Sequence, residues 1–207
     1  MLITHKHLEE NLEYDGSQIG PSWAFKSFGI KGSSIISWIG SMNITPNNLK
    51  DFEDVGLEIK SGKIINIIVE HFDEQPANLR IAYMRQRLLV IILKEELSKI
   101  GIDSIRKGDD IYIISKYKSE DNSVESIYKK LTVSIATISP SSMKIHLGIN
   151  ITSDETPEDV DAIGLFELSD DFNSSSKNLI NFIDNIVKNY IDELIDIELD
   201  ISKTNLL

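Results

Sequence analysis

The sequence predicts an α+β fold, a mixed or antiparallel sheet flanked by helices, formed as one domain over residues 1–207. Three observations lead there. Residues 131–135 and 143–151 each place apolar side chains at every second position, the period of a strand. Residues 175–197 repeat them at three and four, the period of a helix. The elements also run in blocks, strands then a long helix then strands, and do not alternate strictly as a parallel sheet requires.

Taken in order, Ile19–Ile30 reads as a short helix opened by Pro21-Ser22 and closed by Gly29. Ser33–Ile39, rich in Ile and Trp, is a strand. Residues 40–62 are mostly loop, with turn signals at Pro46-Asn47-Asn48 and Ser61-Gly62. Lys63–Phe72 is a buried strand of Ile and Val. Pro76 opens a helix that ends at Gly101, and its stretch Leu88–Leu93 is apolar on all sides, so it is buried on more than one. A short strand follows, then the turn Gly108-Asp109-Asp110, the strand Ile111–Ser115 and a charged loop over Lys116–Ser126.

The next two strands flank the turn Ser139–Ser142. If Leu131, Val133 and Ile135 share one core with Met143, Ile145, Leu147, Ile149 and Ile151, odd positions face odd positions. Lys130, Thr132, Ser134 and Ala136 then stand beside Lys144, His146, Gly148 and Asn150 on a second face of small and polar groups, with room for a ligand. The last helix carries the stripe Leu179, Phe182, Ile183, Ile186, Val187, Tyr190, Leu194 and Ile195.

Composition narrows the function. The chain has no cysteine, which removes thiol catalysis, zinc-thiolate sites and iron–sulfur clusters. Its formal charge of -12, from 33 acidic and 21 basic residues, opposes phosphate neutralisation, so nucleic acid is not an expected partner. No apolar run approaches membrane-spanning length and the N-terminal stretch is charged, so a cytoplasmic protein without a membrane partner is expected. His5, His7, His71 and His146 lack metal-ligand spacing, His5-x-His7 falls near a terminus expected to be mobile, and no cofactor is identified. The sharpest charged cluster is Arg106-Lys107-Gly108-Asp109-Asp110, two cations beside two carboxylates in a turn. Asp also stabilises turns through its own backbone hydrogen bonds, so a purely structural role is the competing reading. Lys130, at the start of a strand, can meet a ligand's negative charge, and His146 on the polar face can exchange a proton.

These residues also carry a resemblance. Ile105-Arg106-Lys107-Gly108-Asp109-Asp110-Ile111-Tyr112 resembles the K-W-P-N-D-I segment of biotin protein ligases, and Lys129-Lys130-Leu131-Thr132-Val133-Ser134 resembles their following lysine and strand. His146-Leu147-Gly148-Ile149-Asn150-Ile151 is similar to their G-I-G-I-N-V strand, with Asp161–Leu165 next in order. The resemblance covers about Leu79 to Tyr190. Over its whole length the chain resembles an archaeal family known as domain of unknown function 366, through Tyr14–Ser17, Ser22–Ala24, Gly108–Tyr112 and Val160–Leu165. That resemblance implies the biotin/lipoate-ligase fold and no particular activity.

The departures matter as much. Arg106 stands where the ligases carry a catalytic lysine, and Asp109 stands at their Asn, whereas Asp110 and Lys130 match. Their G-R-G-R-x-G-R adenylate loop would follow Trp38-Ile39, where this chain reads Gly40-Ser41-Met42-Asn43-Ile44-Thr45, without arginine. Adenylation needs fixed cations for phosphate charge, so ordinary biotin transfer is not expected. Two functions remain. One is a ligase-like or acyltransferase-like protein binding a small carboxylic acid or its activated form. The other is a non-catalytic binding or regulatory protein on the same fold. In either, the ligand-binding residues expected are Arg106, Asp109, Asp110, Lys130, Ser134, His146, Gly148 and Asn150. The expected partner is a small molecule, with a homodimer left open.

Overall fold

The computed structural model describes residues 2–118 and 124–205. Its framework is a five-stranded mixed sheet of β1 (Ile3–Leu8), β2 (Ser33–Asn43), β3 (Lys60–His71), β8 (Met143–Asn150) and β7 (Thr132–Ile138), in that spatial order. β1 lies parallel to β2, and every other pairing is antiparallel. A second, antiparallel sheet joins β4 (Ser104–Lys107), β5 (Asp110–Lys118) and β6 (Val124–Lys130). The strands β5 and β6 thus run into the segment expected as a charged loop, and residues 119–123 of that segment lie outside the described residues. The expected α+β fold with a mixed sheet and flanking helices is the one observed.

The large sheet is covered on both faces. One face carries Ile35, Ile65, Ile67, Val69, Ile145, Leu147 and Ile149 against two helices, α2 (Leu79–Lys99) and α5 (Ser176–Lys203), the latter preceded by the short α3 (Leu165–Leu168) and α4 (Asp170–Ser174). Leu179, Phe182, Ile183, Ile186, Val187, Tyr190 and Leu194 of α5 are buried there, as their spacing predicts, whereas Ile195, expected in the same stripe, is exposed at its edge. The opposite face carries Ile36, Trp38, Ile64 and Ile68 under Tyr14 and α1 (Trp23–Phe28). Burial from both sides explains why β3 reads as a continuous run of Ile and Val. Gly40 is required on this second face: a Cβ there would lie 2.0 Å from the Leu12 carbonyl oxygen, while Trp38 Nε1 donates to that same oxygen at 2.7 Å.

Several elements differ from expectation for local reasons. α2 begins after Asn78, whose side chain accepts from the Ile81 amide at 3.2 Å; Pro76 lies in the loop before it. α1 is shorter than Ile19–Ile30, but it does end at Gly29 in the left-handed region. Strand β2 continues through Gly40 to Asn43, so less of the 40–62 stretch is loop than its turn residues suggest. His5 and His7 sit within β1, where both rings hydrogen-bond Ser37 Oγ, at 2.9 and 3.0 Å.

The hairpin register is the main correction. β7 pairs odd residues with even residues of β8: Val133 with Gly148, Ser134 with Leu147, Ile135 with His146. Thr132, Ser134 and Ala136 therefore share the helix-covered face with Leu147 and Ile149, while His146, Gly148 and Asn150 share the other with Val133 and Ile135. All eight residues of β8 are buried, so its polar positions do not mark a solvent face. Alternation identifies two faces but does not choose between them when both are covered.

Candidate functional site

The two sheets meet at Leu131. Lys130 ends β6 and Thr132 begins β7; the Leu131 amide donates to Ile111 O at 2.9 Å, and its carbonyl accepts from the Asn150 amide at 2.9 Å. The Ile111 amide donates to Thr132 Oγ1 at 2.8 Å, which ties β5 to the start of β7. Lys130 is fixed from the other side as well. Its amide donates to Asp161 O at 2.7 Å, and its carbonyl accepts from the Ile163 amide at 3.0 Å. The backbone of Lys130 is thus clamped between β5 and residues 161–163, and Lys130 closes a strand where the sequence suggested that it opens one.

Beside this junction lies a cleft of about 280 Å³. Its floor carries Asp110, Lys130, Thr132 and Asn150, its apolar wall Val133 and Ile135, and its far side Asp51, Asp54 and Ile59 from the loop before β3. A smaller recess of about 50 Å³ shares Asp54, Val133, Ser134 and Ile135 and ends on Tyr14 and His146. Lys130 Nζ stands 2.9 Å from Asp110 Oδ2. Burial opposes the Lys130 charge, yet the neighbouring Asp110 carboxylate outweighs it and raises the ammonium pKa. Burial is also the largest influence on Asp110 and holds its pKa above the usual carboxylate value, against the pull of Lys130. Asp54 faces the same cleft, and burial together with the like charge of Asp51 raises its pKa too.

Asp109 does different work. Its Oδ2 accepts from Gln86 Nε2 at 2.8 Å and its Oδ1 stands 2.7 Å from Arg87 Nη1, so both oxygens are engaged by α2. Gln86 Nε2 also donates to Ser134 Oγ at 2.9 Å, and Ser134 Oγ donates to the His146 carbonyl at 2.9 Å. One hydrogen-bond chain therefore joins the 108–110 turn, α2, β7 and β8. It holds the turn that carries Asp110, and Asp109 and Ser134 of the same chain also line the cleft.

The remaining expected residues divide. Asn150 lines the cleft, with its Oδ1 accepting from Ser61 Oγ at 3.0 Å. His146 is buried at the recess, its ring stacked on Tyr14 at 3.7 Å between centroids and its Nε2–H donating to Asn66 Oδ1 at 3.0 Å. Burial pushes its pKa down to about 3, so it is neutral. Gly148 packs the sheet, since a Cβ there would lie 2.7 Å from Ile64 Cδ1 and 2.8 Å from Val133 Cγ1. Arg106 is not brought to the site. It pairs with Ile111, one position out of phase with Asp110, so its side chain leaves the opposite face of the small sheet, and its guanidinium bonds the Gly108 carbonyl. The residues not foreseen are those of the loop, Asp51, Asp54 and Glu58, and of the 156–162 segment. They are distant in sequence and carry no pattern beyond ordinary turn chemistry. Among the described residues no group of three His, Asp or Glu side chains is arranged to hold a metal ion, and no helix is long and apolar enough to cross a membrane.

A family model described as a domain of unknown function, DUF366, matches residues 3–205. The chain belongs to the DUF366 family. This DUF366 chain is 40% identical to the uncharacterised protein MJ0805 of Methanocaldococcus jannaschii, over 95% of its own length and 82% of that protein. A solved protein of unknown function from Pyrococcus horikoshi superposes with a TM-score of 0.83 at 32% identity, covering 100% of both chains. Two more distant neighbours share the fold of the DUF366 chain. One is a biotin acetyl coenzyme A carboxylase synthetase of Helicobacter pylori with bound biotinylated ATP, at TM-score 0.51 and 13% identity over 92% of this chain and 75% of that one. The other is a lipoate protein ligase of Thermoplasma acidophilum with bound lipoic acid, at TM-score 0.53 and 11% identity over 92% and 85%. The fold is thus of the biotin/lipoate-ligase type.

Proposed function

We propose that this DUF366 protein is ligase-like or acyltransferase-like and binds a small carboxylic acid, or its activated acyl form, in the cleft between its two sheets. The observation that carries this reading is Lys130: a partly buried ammonium, clamped through its backbone and steadied by Asp110, beside an apolar wall. Lys130 meets the negative head of the ligand, Asp110 orients Lys130, and Val133, Ile135 and Ile59 take the carbon chain. The cleft volume lies just below the ~300–1,000 Å³ usual for small-molecule pockets, which suits a short acid better than an extended one. Fold neighbours holding biotinylated ATP and lipoic acid support an acyl ligand by analogy only.

A specific observation favours the second reading, a binding or regulatory protein that does not adenylate. The described residues lining the cleft include Asp51, Asp54, Glu58, Asp109, Asp110 and Asp159 against Lys60 and Lys130, and no arginine. Phosphate transfer requires fixed positive charge at the developing negative charge, and this cleft has a surplus of carboxylates. One assay set separates the readings. Calorimetric titration with biotin, lipoic acid and short straight-chain acids tests binding, and pyrophosphate release with ATP and Mg²⁺ tests activation. Saturable binding that weakens at least about tenfold in Lys130→Ala, a loss of about 1.4 kcal/mol, supports the site. Pyrophosphate release then selects the ligase-like form, and its absence selects the binding protein. No binding by any acid, or binding indifferent to Lys130→Ala, rejects the site.

A further inference from the structure

A second pocket lies at the other end of β3. Glu70 is ten residues beyond Lys60, about 33 Å away at the usual strand rise of ~3.3 Å, so it has no part in the cleft. It is 4% exposed, on the face of the sheet covered by the N-terminal segment. Its Oε1 accepts from the Ser22 amide at 2.8 Å and from Ser142 Oγ at 2.7 Å. Its Oε2 takes no hydrogen bond among the described residues. Lys144, itself 2% exposed, is the nearby cation, but its Nζ stays 4.0 Å from Oε1 and leans on the Ser142 carbonyl at 3.4 Å. That separation is beyond hydrogen-bonding range, so the buried pair is incomplete.

Adjoining Glu70 is a cavity of about 210 Å³ walled by Phe25, Phe72, Ala24 and Ile30, with Lys31 and Gly32 at its edge. Glu70 Oε2 is not sealed off but stays open to this cavity, where a donor can reach it. Ser22 shows that the backbone is bent to this arrangement: its φ of 57° is in the left-handed region, which a serine seldom occupies, and its amide is spent on Glu70. The walls are aromatic and aliphatic, and aromatic faces attract cations. The volume is below that of ordinary small-molecule pockets, so the occupant has few heavy atoms.

We propose that this pocket is a binding site for a small organic ammonium ion, with Glu70 Oε2 accepting its N–H and Phe25 and Phe72 enclosing its carbon atoms. The charge favours an amine over an alcohol, and the size favours a short amine over a polyamine. Lys31, at the edge, is the competing cation of the protein itself.

Calorimetry or chemical-shift titration with methylamine, ethanolamine and putrescine at matched ionic strength tests this, with ethanol as the uncharged control. A short amine is expected to bind saturably at an Ala24–Phe25 and Phe72 locus while ethanol does not. Glu70→Gln should weaken it at least about tenfold. Phe25 is exposed enough for Phe25→Ala to leave folding intact, and that variant should also weaken the amine, whereas Lys31→Ala should tighten it. Lys130→Ala, in the cleft, should leave it unchanged. If amines shift the spectrum no more than sodium chloride does, or if Phe25→Ala and Lys31→Ala bind as the parent does, the site is rejected.

Discussion

Two buried histidines, His146 without a counter-ion and His71 with the Asp73 carboxylate no nearer than 4.0 Å, make the stability of this protein steeply dependent on acid. His146 gives its N–H to Asn66 and stacks on Tyr14, and His71 meets the Tyr190 hydroxyl at 3.0 Å. Burial pushes both pKa values down to about 3, with the Arg85 charge adding to the effect at His71. In the unfolded chain a histidine titrates near ~6.5. A base whose folded pKa is depressed contributes stability above about pH 6.5 and withdraws it as the pH falls, until the folded state also binds the proton near pH 3. At pH 5 the unfolded chain gains about 2 kcal/mol per histidine, about 4 kcal/mol for the pair, out of a total stability of ~5–15 kcal/mol for a protein. Half-buried His5 and His7, also depressed first of all by burial, add in the same direction, while raised Asp54 and Asp110 oppose. Comparing variants isolates the term. Urea titrations at pH 7 and pH 5 should show His146→Gln, or His71→Gln, losing about 2 kcal/mol less than the parent between the two pH values. Their stability at pH 7 will fall for loss of packing, but that cost does not depend on pH. Equal losses in parent and variant, within ~0.5 kcal/mol, would refute the assignment of neutral buried imidazoles.

Three further outcomes are expected. Ala136→Asp should abolish folding, because that position lies on the helix-covered face opposite Ile145, whereas Ile135→Asn at the cleft wall should remain folded by circular dichroism; the reverse result would overturn the register. Phe182→Ala should cost about 2–5 kcal/mol in denaturant titration, as deletions of buried aromatic groups do, and a loss below ~0.5 kcal/mol would mean that α5 does not close the core. Gly164→Ala should cost at least about 1–3 kcal/mol and lower the melting temperature, since its Cβ would lie 2.4 Å from the Ile151 carbonyl oxygen; an unchanged melting temperature would show that the 161–165 segment can move away.

The elements were largely legible in the sequence because each depends on local chemistry. The stripe of α5 packs as its spacing requires, and Gly29 and Gly101 end α1 and follow α2 with positive φ. What could not be read was the match between elements. β7 alternates as well as any strand, but Val133 and Ser134 are both partly covered, so alternation alone does not say which meets α2. The turn decides: Ile138 pairs with Met143 across four residues, and the Ser139 amide closes on the Ser142 carbonyl at 2.8 Å. Within the candidate site, Asp110 and Lys130 were legible as a charged turn and a strand-end lysine. Arg106 sits only four residues from Asp110 in sequence, yet the pleat of the small sheet turns it to the opposite face. Asp54 and the rest of the loop could not be foreseen, since only tertiary packing brings residues 51–59 over Lys130.

The junction at Leu131 explains why one cleft can hold both a fixed cation and a movable wall. Leu131 is fully buried and spends its amide on the small sheet and its carbonyl on the large one. Lys130, Thr132 and Asn150 are therefore locked together by backbone hydrogen bonds, which do not yield to the loss of any one side chain. The opposite wall is held quite differently. In the loop between the 3-10 turn Pro46–Asn48 and β3, Phe52, Val55 and Leu57 are exposed, at 94%, 67% and 57%. Few buried apolar contacts secure it, and segments with few such contacts open at low free-energy cost. The rigid side of the cleft thus carries the Asp110–Lys130 pair, and the compliant side carries Asp51 and Asp54. A ligand that neutralises Lys130 also weakens the attraction between Lys130 and Asp54, so occupancy and loop position are linked through one charge. Amide hydrogen exchange over residues 49–59 should change when a ligand fills the cleft and should do so less in Lys130→Ala; exchange there that is indifferent to both would separate the loop from the site.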